Sequence, residues 1–365
     1  MARRSSLKTI AEKTGLSVPT VSQILNRKAV NYSSEATKQR VWEAARELGY
    51  QPSFGYKLIQ GQKTRTVAIL FSMPQQNSEE HSMALVQLLI AEFDRVGYAA
   101  YCSVFDCDPK ENLDKIRTLM GRGVEHFVFL GCPFGQQEIF QEIEERGLSY
   151  IGNYNYCSRW VNNGSMLGME MMFRHLQAQV GNNFKLICQE KEITETSTRL
   201  AAIRNIFPDL TNRQIVERFI YRMSNIDFHD KAFRRAADAV GFCGTDELLK
   251  LEPEIGAIVY NNDSIAVGGC RYLLQPGNER FRHVLLCGCN NESVLQSLPL
   301  PVSSVEFNIA RQAELLAQYV LTDQPCEFVV APTLHIRSTH QRPEYPPWDE
   351  TIIQLSTNNK PGENQ

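Results

Sequence analysis

The chain has 365 residues, of which 43% are hydrophobic, and a formal net charge of −3. It is long enough to bury the cores of two or three domains. No run of eighteen apolar residues occurs, and the basic N-terminus MARRSSLKT lacks the apolar core of a secretion signal. These features argue against a membrane-spanning or secreted chain and predict a soluble, cytoplasmic protein with no membrane partner.

The ten cysteines are scattered along the chain, and several lie in apolar runs. Such cysteines are more often buried reduced thiols than a disulfide framework. Cys287 and Cys289 form a C-x-C pair, but no second Cys/His pair follows at the spacing of a zinc finger. We therefore expect no metal site.

The charge is strongly segregated along the chain. Residues 1–65 hold twelve Lys or Arg and four acidic residues, a net charge of +8, which leaves −11 for the remainder. A basic segment favours phosphate binding, because each Lys or Arg can replace a condensed counterion on a nucleic acid. Ordinary solvation of a charged surface explains the negative charge of the remainder better than it explains the positive charge of residues 1–65.

Residues 7–26, LKTIAEKTGLSVPTVSQILN, predict two short helices that meet at a glycine. In the first, Leu7, Ile10 and Ala11 recur at helical spacing, and Gly15 supplies the turn. This pattern is typical of a helix-turn-helix, although amphipathic helix pairs without DNA-binding function are also common.

The second helix of the pair has an N-cap signal at Ser17 and Pro19 in its first turn, where the missing N–H has no intrahelical partner. An apolar face made by Val21, Ile24 and Leu25 leaves the opposite face outward. That outward face consists of Val18, Pro19, Ser22 and Gln23. We predict that it enters the DNA major groove.

A third helix is predicted over residues 35–48, with Ser34 as its N-cap and Gly49 at its end. Its apolar positions complete a small core shared by three helices. A unit of about fifty residues is near the lower size limit for independent folding.

In these three predicted helices the chain resembles the LacI/GalR (lactose-repressor) family of bacterial transcription regulators. The matching segments are LKTIAEKTGLSVPTVSQILN and SSEATKQRVWEAARELGYQPS, which includes the L-G-Y-x-P ending. The resemblance continues to about residue 337. It implies a helix-turn-helix head at residues 1–52, a hinge at 53–66 and a two-lobed effector-binding and dimerisation body at 67–337.

The resemblance and the helix pattern together give the candidate DNA-binding residues. They are Thr9, Ser17, Val18, Pro19, Thr20, Ser22, Gln23, Asn26, Lys38, Ser53, Leu58 and Ile59. Gln23 stands where the family usually has arginine, which predicts a shift of base preference from guanine toward adenine.

In the family, the hinge forms a helix on DNA and inserts an apolar side chain into the minor groove. Ile59 matches that wedge, with Leu58 beside it. Gly55 replaces a better helix former, at a cost of roughly 0.5–1 kcal/mol. Folding of this hinge is therefore expected to depend more than usual on DNA and on the partner subunit.

From residue 67 the sequence alternates between predicted strands and helices, which indicates parallel sheets with helices on both faces. Strands are predicted at 67–71, 98–104, 127–130, 150–151, 184–188, 215–221, 257–260 and 283–287. Helices are predicted at 79–96, 110–120, 136–145, 165–179, 199–207, 227–240 and 264–274.

About 270 residues exceed one doubly wound sheet, so we predict an α/β body of two doubly wound parallel-sheet lobes. The family resemblance makes this body similar to periplasmic sugar-binding proteins. It places three crossovers between the lobes near residues 153–163, 289–291 and 321–327. The last segment, 338–365, is rich in proline and is predicted to be partly disordered.

The sequence gives no sign of catalysis. It contains no G-x-G-x-x-G after a strand, no Walker A sequence, no H-E-x-x-H and no G-x-S-x-G. The seven histidines lie apart from one another. We therefore expect a protein that is not an enzyme, with no catalytic residues and no cofactor.

Ligands of parallel sheets bind outside the carboxyl ends of the strands, so a two-lobed body predicts a cleft there. The candidate effector-binding residues are His81, Phe134, Asn153, Trp160, Arg199, Asn262 and Asn290. Arg199, Asn262 and Asn290 come from family motifs. Asn262 is expected to donate to and accept from the ligand, whereas Asp263 is expected to cap the following helix.

One family position departs from the pattern. The segment V-x-G-[FY]-D-D appears here as LLCGCNN, so Asn290 replaces an aspartate that accepts hydroxyl hydrogens in sugar-responsive members. An amide offers one acceptor oxygen where a carboxylate offers two. Asn162 and Asn163 also stand where members often carry an acid, and this loss of acids favours a ligand with some negative charge.

These observations predict a homodimeric transcription repressor that binds near-palindromic operator DNA under allosteric control by a small effector, a sugar or sugar derivative. One alternative is a DNA-binding regulator with a protein co-regulator or no small effector. Another is a sugar-binding protein or enzyme without specific DNA binding, which predicts weak, salt-insensitive interaction with DNA.

Overall fold

The computed structural model describes residues 6–25, 33–50, 63–71, 79–189, 198–223 and 237–337. The chain divides into two compact units, Met1–Thr64 and Arg65–Gln365, which are described separately here as the head and the body. In the described parts of the chain, no helix is long and apolar enough to cross a membrane.

The head contains three helices, α1 (Leu7–Thr14), α2 (Val18–Leu25) and α3 (Glu35–Glu47). Helix α1 begins at a capping box formed by Ser6 and Thr9 and ends at Gly15, whose φ of 66° is the left-handed conformation that glycine adopts without strain. Helix α3 begins at Ser34, whose side chain accepts a hydrogen bond from the Thr37 N–H. The predicted helix-turn-helix and third helix are confirmed.

The head has one apolar core to which all three helices contribute. Its buried side chains are Ile10, Ala11, Val21, Ile24, Leu25, Val41, Ala44 and Ala45. An ion pair between Lys13 and Glu47 joins α1 to α3 at the surface. The spacing of the apolar residues therefore decides which face of each helix is buried.

The body alternates strands and helices as expected. In chain order it contains β1 (Thr66–Phe71), α4 (Glu79–Arg95), β2 (Ala99–Val104), α5 (Pro109–Gly121), β3 (His126–Leu130), α6 (Gln136–Glu145), β4 (Ser149–Gly152), β5 (Trp160–Asn162), α7 (Ser165–Val180), β6 (Phe184–Gln189), α8 (Thr198–Ile206), α9 (Asn212–Phe219), β7 (Ile220–Met223), α10 (Ala237–Leu251), β8 (Ala257–Tyr260), α11 (Asp263–Leu273), β9 (Leu285–Cys289), β10 (Val302–Glu306), α12 (Ile309–Thr322), β11 (Glu327–Val329) and β12 (Thr333–His335).

These strands form two six-stranded sheets. The first lobe has the order β11-β5-β4-β3-β1-β2, and the second has the order β12-β10-β9-β8-β6-β7. All pairs are parallel except β10 with β12, which is antiparallel. The predicted pair of doubly wound lobes is confirmed.

Each sheet has apolar layers on both faces because its central strands are buried on both sides. In β1, Val67 and Ile69 pack toward α4 and α12, and Ala68 and Leu70 pack toward α5 and α6. In the second lobe, one core includes residues of α7, α8 and α9, and the other includes residues of α10 and α11.

The chain passes between the lobes at residues 163–164, 307–308 and 330–332, as the strand order shows. Two of the expected crossovers were therefore wrong, because β10 and β11 were not predicted. Asn162 and Asn163 at the first crossover accept hydrogen bonds from the N–H groups of Gly164 and Ser165. These two asparagines shape the turn into α7, which gives them a local structural role.

The predicted strand at 215–221 was also wrong. Residues 212–219 form α9, and only Ile220–Met223 is a strand. A capping box between Thr211 and Gln214 begins the helix, and Ile215 and Phe219, four residues apart, are its buried positions. The apolar pairs in this segment fit a strand as well as a helix, and the cap decides between them. The helix predicted at 227–240 falls partly outside the described residues, and α10 extends to Leu251.

Candidate functional site

The exposed face of α2 carries the side chains that were predicted to point outward. Val18 is 40% exposed, Pro19 and Gln23 are exposed, and Thr20 and Ser22 are half-buried. The opposite face is fixed by the buried core of the head. The core of the head therefore fixes one face of helix α2, and the face that carries Val18, Pro19 and Gln23 stays at the surface.

Four of the predicted DNA-binding side chains also have local structural roles in the head. Ser17 Oγ accepts a hydrogen bond of 3.3 Å from the Thr20 N–H and lies 2.8 Å from Thr20 Oγ1, so this pair begins α2. The Thr9 hydroxyl donates to the Ser6 carbonyl at 2.7 Å within the first capping box. Lys38, on α3, forms a 2.6 Å ion pair with Glu35.

Four predicted DNA-binding residues lie outside the described residues. They are Asn26, Ser53, Leu58 and Ile59. Most of the predicted hinge, 53–66, lies there too, so its helix and its apolar wedge stay predictions.

In the body, the candidate residues follow the carboxyl ends of strands in both lobes. Asn153 and Tyr154 follow β4 in the first lobe, and Asn262 and Asn290 follow β8 and β9 in the second. His81, near the start of α4, lies edge-on to Phe307 at the second crossover, with a ring-centroid distance of 5.9 Å. The strand ends of the two lobes therefore face a common cleft.

Arg199 lies in the first turn of α8, where its guanidinium is positioned by one hydrogen bond. Its Nη2 donates to the Asn261 carbonyl oxygen at 3.0 Å. Its Nε is buried and has no hydrogen-bond acceptor among the described residues. A buried donor without an acceptor is costly, so this N–H is suited to receive a ligand oxygen.

Tyr154 places an aromatic ring from the first lobe near this guanidinium. Burial raises the pKa of the Tyr154 phenol, and the positive charge of Arg199 lowers it in part. The side chain nevertheless keeps some solvent-accessible surface. A residue that is poorly solvated but still reachable is typical of the wall of a narrow cleft.

His81 is the third group in this region. Burial lowers the pKa of His81 to about 4, so the imidazole is neutral at pH 7. Among Tyr154, His81 and Arg199, Arg199 is therefore the positively charged side chain.

The asparagine–aspartate pair at the start of α11 has roles opposite to those expected. Asn262 is the N-cap, and its Oδ1 accepts a 2.9 Å hydrogen bond from the Ile265 N–H. Asp263 is fully buried and accepts from Ser304 Oγ and from the Glu292 N–H, both at 2.7 Å. The Nδ2 group of Asn262 can donate to a ligand, whereas its oxygen already accepts from the helix.

Asn290 and Asn291 have φ values of 98° and 51°, in the left-handed region. Asn290 Nδ2 donates weakly to Glu292 Oε1 at 3.4 Å, and its N–H donates to the Val305 carbonyl at 2.8 Å. The side-chain oxygen of Asn290, Oδ1, is therefore left to accept a hydrogen bond from a ligand.

The other predicted effector residues are more weakly placed. Asn153 Oδ1 accepts from the Gly131 N–H at 2.8 Å and so joins two loops. Phe134 is 59% exposed on the loop after β3. Trp160 is half-buried at the start of β5, where it pairs with Gly152 and Glu327.

The described cysteines are all free thiols, and Cys287 and Cys289 are buried. Burial raises the pKa of both thiols far above the usual range. Among the described residues, no group of three or more metal-ligating side chains comes together.

The head has the sequence pattern of a known family. Residues 6–53 match the profile of the bacterial regulatory proteins of the lacI family. The regulator TreR of Escherichia coli K12 is 22% identical over 358 residues, which cover 92% of this chain and 100% of TreR. The head is therefore similar to proteins of the lacI family, and most of the chain is similar to TreR. This confirms the resemblance seen in the sequence.

Other lacI-family proteins match more locally or in fold alone. The sucrose operon repressor of Pediococcus pentosaceus is 28% identical over 159 residues, 42% of this chain and 45% of that repressor. The chain thus spans under half the length of this curated relative. The Lac repressor dimer, solved with operator and the anti-inducer ONPF, aligns with a TM-score of 0.75 at 15% identity, over 93% of this chain and 100% of that chain. This likeness shows a shared fold.

Two parts of the cleft have little or no signal in the sequence. Tyr154 belongs to no sequence motif, because it is a lone tyrosine in a loop, and its neighbour Arg199 is distant in the chain. Ser304, which binds Asp263, lies on β10, a strand that was not predicted. A polar residue in the apolar stretch VSSVE was the available signal.

Proposed function

We propose that this protein is a sequence-specific DNA-binding transcription repressor of the lacI family that responds to a small ligand in the cleft of its body. The observation that carries the proposal is the exposed face of α2, which is held on a buried three-helix core in a segment of net charge +8. A helix with an exposed polar and apolar face on a basic unit is suited to the major groove. The regulatory role makes the protein a non-enzyme that acts in the cytoplasm.

The relatives support this assignment. The sucrose operon repressor is a repressor by name, and the Lac repressor dimer was solved on its operator. We infer a homodimer here as well, which presents two heads to a near-palindromic operator, because a two-fold assembly matches two-fold DNA.

DNA binding is tested with the full-length protein and a pool of fragments of its own genome. Selected fragments should contain a near-palindrome, and the affinity should fall steeply with salt because phosphate contacts release counterions. Two chains should bind each fragment. Weak binding with little salt dependence and no selected sequence would contradict the proposal and favour a sugar-binding protein or an enzyme.

For the ligand, we infer a sugar derivative that carries an acidic group. Arg199 donates to a backbone carbonyl, and its buried Nε has no acceptor among the described residues. A guanidinium binds a carboxylate or phosphate through two parallel hydrogen bonds. The buried carboxylates near Asn290 are already engaged, since Glu292 accepts from Ser264 and Asp263 accepts from Ser304.

A thermal-shift panel of the full-length protein tests the ligand class. Glucose and galactose are compared with gluconate, glucuronate and galacturonate, each at the same ionic strength. Stabilisation by one or more acids, without stabilisation by the neutral hexoses, is expected. Stabilisation by neutral hexoses alone would overturn the acidic assignment, and no shift with any compound would favour a regulator with a protein co-regulator or no small effector.

A further inference from the structure

The Asp263 carboxylate lies where the carboxyl ends of three strands meet. It begins α11 directly after β8, its Oδ2 accepts from the Glu292 N–H beyond β9, and its Oδ1 accepts from Ser304 Oγ on β10. Both distances are 2.7 Å, and the side chain is fully buried. One carboxylate therefore connects three segments of the second lobe.

In the segment after β9, the Asn290 N–H binds the Val305 carbonyl and the Asn291 side chain binds Arg337 and Glu306, whereas the next two backbone N–H groups depend on this carboxylate. The Asn291 N–H donates to Ser304 Oγ at 3.0 Å, and Ser304 donates to Asp263. The Glu292 N–H binds Asp263 directly. Two consecutive backbone N–H groups are thus fixed by the same group, one directly and one through a hydroxyl. This loop also has the left-handed conformation of Asn290 and Asn291, which residues other than glycine seldom adopt unless surrounding contacts determine it.

The strand beside the carboxylate leaves room for it. A Cβ atom on residue 288 of β9 would overlap Asp263 Oδ1, so only glycine fits there. Gly288 is one of two residues that separate Cys287 from Asn290. The close approach of backbone and carboxylate is therefore built into the strand itself.

The charged and titratable groups around Asp263 come from each neighbouring element. Burial raises the pKa of Asp263 to about 7, the negative charge of Glu292 adds to this rise, and Arg337 opposes it. On the far side of Asn291, Glu306 accepts from Asn291 Nδ2 and from His335. Among the described residues, these groups are Glu292, Glu306, His335, Arg337 and the thiols of Cys287 and Cys289.

We propose that Asp263 is the positioning residue of the effector site: its ionised carboxylate holds loop 290–292 and so sets how Asn290 is presented to the ligand. The role of Asn290 rests on the proposed function, whereas the hold on the loop is a property of the free protein. Protonation on Oδ2 removes the acceptor for Glu292, and protonation on Oδ1 leaves the Ser304 hydroxyl proton without its acceptor. The neutral acid therefore cannot accept both hydrogen bonds as the carboxylate does.

Hydrogen exchange of the free full-length protein tests this, with no ligand or DNA present. The exchange of the Asn291 and Glu292 amides is measured from pH 6 to pH 8 and divided by the intrinsic rate at each pH. With a midpoint near 7, the ionised fraction changes about tenfold over this range. Protection of the two amides should therefore rise about tenfold with pH, while amides of β3 in the first lobe keep constant protection.

Three variants separate Asp263 from its neighbours. Asp263→Asn has the shape of the neutral acid, so it should show the low protection of the wild type at pH 6 at every pH. Asp209→Asn, at an exposed position, should keep the wild-type profile. His335→Gln removes the imidazole that faces Glu306 and should leave the midpoint unchanged.

The outcomes are decisive in either direction. Constant protection in the wild type, or a pH dependence that persists in Asp263→Asn, would overturn the proposal. Loss of the dependence in His335→Gln would also overturn it and assign the effect to the His335–Glu306 pair. If Asp263→Asn does not fold, the wild-type profile together with His335→Gln still decides, and none of these results depends on whether the protein binds DNA or a sugar acid.

Discussion

The α-carbon of Gly268 packs directly against the carbonyl oxygen of Asp238, and a Cβ atom on residue 268 would overlap that oxygen. Gly241 has the same relation to the Ile265 carbonyl. Helices α10 and α11 are therefore in contact through their backbones. Because α11 begins at Asn262 and Asp263, this contact fixes the second-lobe wall of the cleft.

Gly268→Ala should destabilise the protein. The added methyl group meets backbone rather than a flexible side chain, so the two helices must separate, and overpacking of this kind costs about 1–3 kcal/mol. Urea unfolding of the full-length protein measures the change. Gly121→Ala is the matched control, since Gly121 ends α5 with no atom within 4 Å of the added Cβ, and it should show no loss of stability. Equal effects of the two substitutions would show that α10 and α11 have room to separate.

His81 predicts a pH-dependent stability with a definite sign. Its folded pKa of about 4 lies below the usual 6.5, so the unfolded state binds more protons between these values. Stability from this group is complete above pH 6.5 and is lost as the pH falls toward 4. The difference in unfolding free energy between the wild type and His81→Gln should therefore shrink by about 2 kcal/mol from pH 7.5 to pH 5.

The wild type must be compared with His81→Gln because the pH dependence of stability that Asp263 contributes has the opposite sign. Its pKa is raised to about 7, so the native state holds a proton that the unfolded state loses, and its contribution falls as the pH rises from about 4 to 7. That contribution is common to both proteins and cancels in the comparison. A pH-independent difference would mean that His81 is well solvated in the folded protein.

The amino-acid sequence predicts the fold where local signals are strong. In the head, Ser34, Gly15 and the apolar spacing are sufficient, because caps and helix faces are properties of neighbouring residues. The same holds for most strands of the body, which are continuous apolar runs. In residues 212–219 the apolar pairs fit both periods, and only the Thr211–Gln214 capping box distinguishes helix from strand.

The cleft is predictable only in outline. Arg199 and Asn290 are found from motifs, but the exchange of roles between Asn262 and Asp263 depends on Ser304 and Glu292, which are distant in the chain. Both residues can cap a helix equally well from local propensity. Only the close packing of Gly288 against the carboxylate places Asp263, and not Asn262, against β9.

Gln23 on the exposed face of α2 gives a prediction for base preference. Glutamine pairs with adenine and arginine with guanine, each with about 1–3 kcal/mol of discrimination. Gln23→Arg should therefore change the preferred base at one operator position per half-site in a selection experiment. Gln39→Arg, at an exposed position of α3, adds the same charge and should raise affinity without changing the sequence. An unchanged preference in Gln23→Arg would rule out contact between residue 23 and that base.

Arg199 gives the sharpest test of the ligand class, because the same helix supplies a matched control. Arg199→Gln removes the charge and the buried Nε donor, so the thermal shift produced by an acidic sugar should be abolished, with at least about a tenfold loss of affinity. Arg204→Gln, one turn further along α8, removes an arginine that donates to Asn212 Oδ1 and should leave the shift intact. Calorimetry of each variant with the stabilising acid and with its neutral hexose separates charge from hydroxyl contacts. If Arg199→Gln weakens both ligands equally, Arg199 binds hydroxyl groups and the acid is held elsewhere. If neither variant affects binding, the cleft around Tyr154 is not the effector site.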